Sequence, residues 1–562
     1  MGGELPEPSS AASRIGTRRV LVLLCASLEG LASGLDLLEV RRWLEEEDGV
    51  SVRVVADLCQ GPRGLSAIAA GGVEGLVLGL CSWGYAAAKV ESRIREAGLD
   101  PLGAERVNLG GYCAAAYATA EATVKAKALL AAAVARARAF AGTGPDNVTA
   151  YVDRQKGKVS RRGLFTLPAL RYRPVASIGR AQCLAETGCR RCVDVCPTDA
   201  LRRSGRQVTL DKRRCLSCGL CVVECPTAAI DLPTASPAQF EAEVRELLRT
   251  AALPASAPRG IIFACGRAAH ALEKVVGREG SWAVGWLPVH VPCAGMVTAS
   301  WMLGALSSGA DAVLVLTCGD GCPFGQEERI EARVAYCRDL LRVLGATDEP
   351  VRLVQAADLA GALTEPPLRR PRSIQAAEDT PCFTARDATA RTVLTLARDY
   401  DASYDVSLAD AASPFGIVRI NSAACTGCGN CARACPAGAL STRQEDGCLL
   451  LDFDPALCTA CGQCTGWCPE AASQALRVDR ATDLGALAMG RVTLYDDINV
   501  RCDYCGGVIA PAAVLRRVEA LLTEDGQVPS AVVASVTRRC PSCRVARTPS
   551  LAGVQRRGGL CP

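Results

Sequence analysis

The chain has 562 residues, which at roughly 150 residues per domain predicts about four domains. Hydrophobic residues make up 49% and charged residues 22%, values that exclude wholesale disorder. The 63 lysines and arginines nearly balance the 59 acidic residues, so a nucleic-acid-coating protein is not expected. The chain has 32 cysteines but only two histidines, so metal chemistry must rest mainly on sulfur.

Targeting and membrane signals are weak. A disulfide framework fits small secreted domains, whereas this chain is long enough for several hydrophobic cores. The apolar run from Val20 to Cys25 is short for a signal peptide and is expected to be a strand. Arg161 and Arg162 lie mid-chain with no long apolar run behind them. No stretch approaches 18 uninterrupted apolar residues, so we expect no membrane insertion and a reducing, cytoplasmic location.

Residues 16–140 alternate β-rich and helical stretches, which predicts an α/β domain. The β-rich runs VLVLLC, VRVVADLC and LVLGLC each end in a cysteine. Four cysteines are expected at or just after strand ends, where open α/β sheets build their sites: Cys25, Cys59, Cys81 and Cys113. The alternative is that strands bury these cysteines as small hydrophobic residues.

The stretch from VLVLLCAS through LCQGPRG and LGLCSWGY to AGLDPLGAERVNLGGYCA resembles the N-terminal domain of the heterodisulfide reductase A subunit. The resemblance implies a Rossmann-like fold and a [4Fe-4S] cluster on Cys25, Cys59, Cys81 and Cys113. The family usually has a second cysteine or histidine soon after the first, where this chain reads ASLEG. The family's large flavin domain does not follow, and no dinucleotide fingerprint or Walker A sequence occurs. We therefore expect no flavin or NAD.

Two tracts, 177–232 and 414–479, carry the strongest pattern. The first contains CLAETGCRRCVDVCP and CLSCGLCVVECP, and the second contains CTGCGNCARACP and CTACGQCTGWCP. Three of these runs are C-x2-C-x2-C-x3-C-P, the pattern of bacterial two-cluster ferredoxins, while the first run has a longer first loop. Zinc is disfavoured because the Cys-Pro ending occurs four times. Each tract is predicted to be a 2[4Fe-4S] ferredoxin module.

In this pattern the cysteine before proline reaches the neighbouring cluster. The predicted ligand sets of the first module are Cys183, Cys189, Cys192 and Cys225, and then Cys215, Cys218, Cys221 and Cys196. Those of the second module are Cys425, Cys428, Cys431 and Cys468, and then Cys458, Cys461, Cys464 and Cys435.

A second α/β domain is predicted over 258–365, after a linker helix in 233–257. Its FAC, PCAG, ASWMLGALSSGADAVLVL and TCGDGC resemble the delta subunit of methyl-viologen-reducing hydrogenase. The resemblance implies a [2Fe-2S] cluster on Cys265, Cys293, Cys318 and Cys322. Ala268 stands where the family commonly has a further cysteine, and histidines around the last pair are missing. His270 and His290 are expected to be packing or surface residues.

Two C-x2-C knuckles lie in 501–547, a region predicted to be zinc-ribbon-like. Their cysteines, Cys502, Cys505, Cys540 and Cys543, suit one tetrahedral four-thiolate site. The knuckles are about 34 residues apart, more than is usual for zinc, with the helix-like APAAVLRRVEALL between them. Zinc is preferred over iron, in a structural role, because four thiolates leave no open position.

The rest of the chain is assigned to connecting segments. Tails are expected at 1–15 and 548–562, and linkers at 141–176, 366–413 and 480–500. The four remaining cysteines, Cys337, Cys382, Cys448 and Cys561, are expected to be ordinary thiols. The predicted fold class is multidomain α/β and α+β: two Rossmann-like α/β domains, two bacterial-type ferredoxin modules and a small four-thiolate knuckle region.

Many clusters without a catalytic triad, a catalytic zinc pattern or a nucleotide cradle favour electron conduction. The resemblances imply an electron-transfer subunit that links a hydrogenase or formate dehydrogenase to a heterodisulfide-reductase-type partner. Two alternatives stay open. One is an oxidoreductase subunit that reduces a disulfide or similar acceptor at its own cluster, and the other is a redox-sensing or assembly scaffold.

Overall fold

The computed structural model describes residues 18–26, 34–56, 58–60, 72–81, 87–152, 170–279, 282–319, 322, 324–371, 383, 387–524 and 528–545. The chain divides into two compact units, residues 1–406 and residues 407–562. Both predicted tails, 1–15 and 548–562, lie outside the described residues, as do Cys382 and Cys561. Across the described part, no helix has the length and hydrophobicity needed to span a membrane.

The first unit begins with a four-stranded parallel sheet, as the α/β pattern predicts. Its strands are β1 (Val20–Cys25), β2 (Val50–Val55), β3 (Gly75–Leu80) and β4 (Ala104–Asn108). Its helices are α1 (Leu37–Glu45), α2 (Ala87–Glu96) and α3 (Thr119–Arg138). The strand order is β2-β1-β3-β4, so β1 and β3 are central and buried throughout. Their burial on both faces explains their continuous apolar sequences.

The first ferredoxin module follows a short hairpin. Segment 141–176, expected to be a linker, contains β5 (Val148–Val152) and β6 (Leu170–Pro174), which pair antiparallel. The module's strands are β7 (Ser177–Ile178), β8 (Leu201–Ser204), β9 (Gln207–Leu210) and β10 (Ile230–Asp231), in the pairs β7–β10 and β8–β9. Its short helices are α4 (Arg191–Asp194) and α5 (Leu220–Glu224).

The helix expected in 233–257 is α6 (Pro237–Arg249). Ser236 caps it through a hydrogen bond from the amide of Gln239, and proline occupies the first helical position. Helix α6 packs along α3. The buried Arg136 of α3 pairs there with Glu243 of α6 at 2.5 Å and with Glu105 at 3.1 Å. These ion pairs join the N-terminal sheet to the rest of the first unit.

The central α/β domain repeats the strand order of the N-terminal one. Its strands are β11 (Gly260–Cys265), β12 (Trp286–Val291), β13 (Ala312–Thr317) and β14 (Val351–Gln355). All pair in parallel, in the order β12-β11-β13-β14. Its helices are α7 (Gly266–Glu279), α8 (Ala299–Ser307), α9 (Glu327–Val343) and α10 (Leu359–Thr364). Segment 366–413 then contributes α11 (Ala388–Asp399), which packs on α8.

The second unit consists of antiparallel sheets and short helices. One sheet has the order β15-β19-β16, with β15 (Ser407–Ala409), β16 (Gly416–Ile420) and β19 (Leu476–Asp483). The other has the order β17-β18-β20-β21, with β17 (Leu440–Glu445), β18 (Cys448–Phe453), β20 (Val492–Arg501) and β21 (Val508–Pro511). The helices are α12 (Asn430–Arg433), α13 (Gln463–Gly466), α14 (Leu484–Met489), α15 (Ala512–Thr523), α16 (Ser530–Arg538) and α17 (Pro541–Val545).

Segment 480–500, expected to be a linker, is regular structure. It holds α14 and most of β20, and β20 pairs with β18 of the second ferredoxin module. The C-terminal knuckle region therefore continues the sheet of that module, since β21 adds to the other edge of β20.

Candidate iron–sulfur and metal centres

The three regular cysteine runs share a loop that turns left-handed twice. The residues with positive φ are Ser217 and Gly219 (57° and 77°), Gly427 and Gly429 (67° and 71°), and Ala460 and Gly462 (49° and 75°). Glycine adopts this conformation at little cost, and in each run it caps the short helix that carries the third cysteine. In the longer first run, a 3-10 turn ended by Gly188 (φ 98°) fills the gap instead.

The cysteine before each proline lies among the three thiols of the neighbouring run. In the first module the neighbours are Cys183, Cys189 and Cys192 with Cys225, and Cys215, Cys218 and Cys221 with Cys196. In the second they are Cys425, Cys428 and Cys431 with Cys468, and Cys458, Cys461 and Cys464 with Cys435. Each grouping contains the same four cysteines as one of the ligand sets predicted from the sequence.

Burial makes these thiols poor anions unless a cluster balances their charge. Burial raises the pKa of Cys192, Cys431 and Cys464 to about 12, and neighbouring thiolates add to the effect. Bound iron supplies the positive charge that such a group of thiolates requires. The donor sets therefore fit [4Fe-4S] clusters.

The first module supplies hydrogen bonds to its two exchanged sulfurs. The Sγ atoms of Cys196 and Cys225 each accept a backbone amide hydrogen bond at 3.2 Å, and the hydroxyls of Thr198 and Thr227 lie 3.8 and 3.6 Å from them. Burial acts to raise the pKa of Cys196, but backbone amides, beginning with that of Thr198, lower it overall. Sequence reasoning missed this feature, although the repeated Cys-Pro-Thr was its signal.

The four central thiols line one cavity of about 220 Å³. Cys265 ends β11, Cys293 follows β12, and Cys318 and Cys322 follow β13, so all come from three neighbouring strands. Burial raises the pKa of Cys293 and of Cys318 to about 12. Burial also acts on Cys322, but the amides of the following turn outweigh it and lower its pKa. Four sulfurs around one cavity, with amides directed at one of them, fit an iron–sulfur cluster.

The first ferredoxin module packs directly on this cavity. Val195, Leu220 and Cys293 form a shared buried cluster, with Cys218 packed against it. The Cys218 thiol is close enough to Cys293 to contribute to its raised pKa. A side chain at Gly219 would overlap with the buried Met296, so the ferredoxin loop and the central domain approach closely here.

Ion pairs hold the same contact. Glu224, at the end of α5, pairs with Arg333 of α9 at 2.6 Å and with Arg329 at 2.8 Å. Arg333 also donates a hydrogen bond to the carbonyl oxygen of Gly295 at 2.7 Å. The guanidinium thus links the ferredoxin helix to the turn that follows Cys293. Nothing in the sequence pairs these positions, so sequence reasoning missed them.

In the N-terminal domain the structure gathers three of the four predicted thiols. The Sγ–Sγ distances are 2.9 Å for Cys59–Cys81, 3.3 Å for Cys81–Cys25 and 3.6 Å for Cys59–Cys25. The hydrogen bond to Cys25 raises the pKa of Cys59. Cys113 does not belong to this compact group. It is fully buried in the π-helical turn Gly110–Ala114, and burial raises its pKa to about 12.

A buried lysine lies near Cys113. Nζ of Lys125 donates hydrogen bonds to the hydroxyl of Tyr117 at 2.7 Å and to the carbonyl oxygen of Trp286 at 2.9 Å. It also lies 3.9 Å from the ring centroid of Trp282. Burial lowers the pKa of Lys125 to about 7, while Cys113 acts in the opposite direction.

The two histidines and two of the remaining cysteines lie outside these thiol groups. The buried His290 stacks on Tyr112 with ring centroids 5.6 Å apart, and burial lowers its pKa to about 4. His270 is exposed and lies 3.7 Å from Glu273. Cys337 is buried in α9, and Cys448 begins β18.

The C-terminal knuckles form a second compact thiol group. The Sγ atoms of Cys502, Cys505, Cys540 and Cys543 all lie within 4.8 Å of one another. The amide of Cys540 donates a hydrogen bond to Sγ of Cys502 at 3.4 Å, and such hydrogen bonds from backbone amides lower the pKa of Cys502 to about 7. A pKa this low favours the thiolate that a metal needs.

Comparison with known proteins agrees with parts of this description. Residues 261–363 match the family of the methyl-viologen-reducing hydrogenase delta subunit, and residues 182–229 and 424–472 match the 4Fe-4S dicluster domain family. A stretch of 39 residues is 41% identical to an uncharacterized ferredoxin of Methanocaldococcus jannaschii and covers 7% of this chain. It spans about a quarter (26%) of that ferredoxin. The chain thus contains [4Fe-4S] ferredoxin domains and a hydrogenase delta subunit-like domain, which support an iron–sulfur electron-transfer role.

Proposed function

We propose that the chain is a multi-cluster electron-transfer subunit of a complex that joins a hydrogenase or formate dehydrogenase to a heterodisulfide-reductase-type partner. The observation that carries the proposal is the contact between the Cys218 loop and the Cys293 cavity. Two cysteine-rich sites that share one buried layer are arranged for electron transfer, because tunnelling requires short gaps filled by protein.

In this proposal each ferredoxin set holds a [4Fe-4S] cluster, and the central thiols hold a [2Fe-2S] cluster. Electrons pass between the cluster of Cys215, Cys218, Cys221 and Cys196 and the central one. The hydrogenase delta subunit-like domain supports a redox protein as partner, and the resemblance of residues 16–140 to the heterodisulfide reductase A subunit supports the second half of the assignment. Thiolate-held clusters suit a reducing cytoplasm.

Reversible reduction of the anaerobically purified full chain tests the proposal. Dithionite should reduce the clusters, and a one-electron acceptor such as cytochrome c should reoxidise them over repeated cycles without loss of iron. The matched control is Cys448→Ser, which removes a thiol outside the proposed ligand sets and should leave the electron count unchanged. Clusters that accept no electrons, or that decompose on the first cycle, would contradict the proposal.

We also infer that the C-terminal thiols bind Zn²⁺ as a structural ion. Four sulfurs within 4.8 Å and an amide hydrogen bond to the sulfur of Cys502 support a closed tetrahedral site. Replacing Cys502 by Ser should lower the zinc content and the melting temperature of the chain while sparing iron. Loss of iron with zinc unchanged would assign iron to this site instead.

A further inference from the structure

The spacing of the N-terminal sulfurs indicates which kind of metal site they fit, the cubane implied by the family resemblance or a site for a single ion. In a cubane each thiolate extends outward from its own iron, so the ligand sulfurs stand well apart. In a mononuclear tetrahedral site the metal–sulfur bonds are about 2.3 Å, which places the sulfurs about 3.8 Å from one another. Sulfur spacing therefore distinguishes the two kinds of site.

Cys25, Cys59 and Cys81 have the spacing of a mononuclear site. Their sulfurs lie 2.9–3.6 Å apart, so a single ion would spread them by less than 1 Å. Among the described residues, this triad and the C-terminal knuckles are the groups of at least three candidate ligands that close within 4.8 Å. The ferredoxin and central cysteines, all of them described, are spaced more widely.

Cys113 lies in a different environment from the triad. Cys25, Cys59 and Cys81 follow the three neighbouring strands β1, β2 and β3, whereas Cys113 follows the edge strand β4. The turn that carries Cys113 folds back against Cys81, since a side chain at Gly110 would overlap with the carbonyl oxygen of Cys81. Cys113 nevertheless stays outside the compact group and is fully buried, whereas Cys59 and Cys81 are half-buried.

We propose that Cys25, Cys59 and Cys81 bind one thiophilic divalent cation, Zn²⁺, with a fourth position open to water or a small exogenous donor. Three sulfurs this close can ionise together only if a cation offsets the repulsion between the thiolates. Cys25 is buried and fixes the base of the site, while Cys59 and Cys81 are half-buried, which leaves the site reachable from solvent. Three protein ligands and an open position distinguish this site from the closed C-terminal one. The inference does not depend on the proposed electron-transfer function.

Metal analysis of the full chain tests the inference. The unmodified protein should contain two zinc ions, one in the N-terminal triad and one in the C-terminal knuckles. Cys59→Ser should remove one zinc and leave iron unchanged. The matched variant Cys113→Ser should change neither metal. Loss of about four iron in both variants would instead establish the cubane.

A second measurement covers the case in which Cys59→Ser fails to fold. In the Cys505→Ser chain, zinc X-ray absorption should report the N-terminal site alone, with three sulfur ligands and one lighter ligand. Four sulfurs, absence of zinc, or a Cys59–Cys81 disulfide found by mass spectrometry of anaerobic protein would each overturn the inference. Reducibility of the iron clusters is read separately, so failure here leaves the proposed function standing, and the reverse holds as well.

Discussion

The two α/β domains have the same strand order but gather their cysteines differently. In the central domain, four thiols come from three neighbouring strands, because the loop after β13 carries both Cys318 and Cys322. In the N-terminal domain one cysteine follows each of four strands, and the fourth strand is at the far edge. The first arrangement surrounds a cavity of about 220 Å³, and the second produces a compact triad. A shared topology can thus present its cysteines in different geometries, depending on which loops carry them.

The largest expected effect is at Cys293. Replacing it by Ser should abolish the central cluster, lowering iron by about two per chain while the ferredoxin clusters persist. Iron, acid-labile sulfide and the EPR spectrum of the reduced protein measure this. Cys337→Ser is the control, because it removes a buried thiol of the same domain outside the cavity. Unchanged iron in the Cys293 variant would exclude a cluster there.

The next effect concerns the contact between the first ferredoxin module and the central cavity. Arg333→Met removes one of the two arginine partners of Glu224 and the hydrogen bond to Gly295, which should cost about 1–3 kcal/mol of stability at this partly buried site. Electron transfer between the first ferredoxin module and the central cluster should slow, as followed by rapid-freeze EPR. Arg329→Met is matched in chemistry but more exposed, so its effect should be smaller. Equal effects would show that Arg333 has no special part in the contact.

Lys125 should make the stability of the N-terminal domain depend on pH. Its pKa falls from 10.5 to about 7 on folding because it is buried, so the unfolded chain binds more protons between these values. Stability should therefore rise with pH from about 7 towards 10.5, and this contribution should be lost as pH falls through 7. Urea denaturation across this range should show that the free energy of unfolding rises less steeply with pH in Lys125→Met than in the unmodified chain. An unchanged slope would mean that the lysine stays charged through its contacts with Tyr117, Trp282 and Trp286.

The smallest expected effect is on reduction potential. Thr198→Val removes a hydroxyl beside Cys196 and should lower the potential of the cluster with Cys215, because hydrogen bonds to sulfur favour the reduced cluster. Thr227→Val should act in the same direction on the other cluster of the module, through Cys225. EPR-monitored redox titrations separate the two. A shift of the same cluster by both variants would contradict the exchanged ligand assignment.

How far the sequence could predict these sites depends on how local they are. In a ferredoxin run the three close cysteines and the left-handed glycine are within seven residues, so spacing alone groups these three, and the two-cluster ferredoxin pattern predicts the fourth. The sequence predicts Cys113 with Cys25, Cys59 and Cys81 because each follows a strand, but it does not show how close the following loops come, and the structure closes the other three within 4.8 Å. The contact of Gly219 with Met296 joins distant positions and has no sequence signal. The sequence predicts a linker over 480–500, whereas β20 pairs there with β18. A pairing across so long a separation has no local sequence signal.

The central claim is that electrons pass between the first ferredoxin module and the central cluster. EPR of the fully reduced, anaerobic full chain tests this directly through magnetic coupling between neighbouring paramagnetic clusters. We predict that the [2Fe-2S] signal relaxes faster in the unmodified chain than in a Cys218→Ser variant that lacks the adjoining [4Fe-4S] cluster. A [2Fe-2S] signal with the same relaxation in both chains would contradict the account.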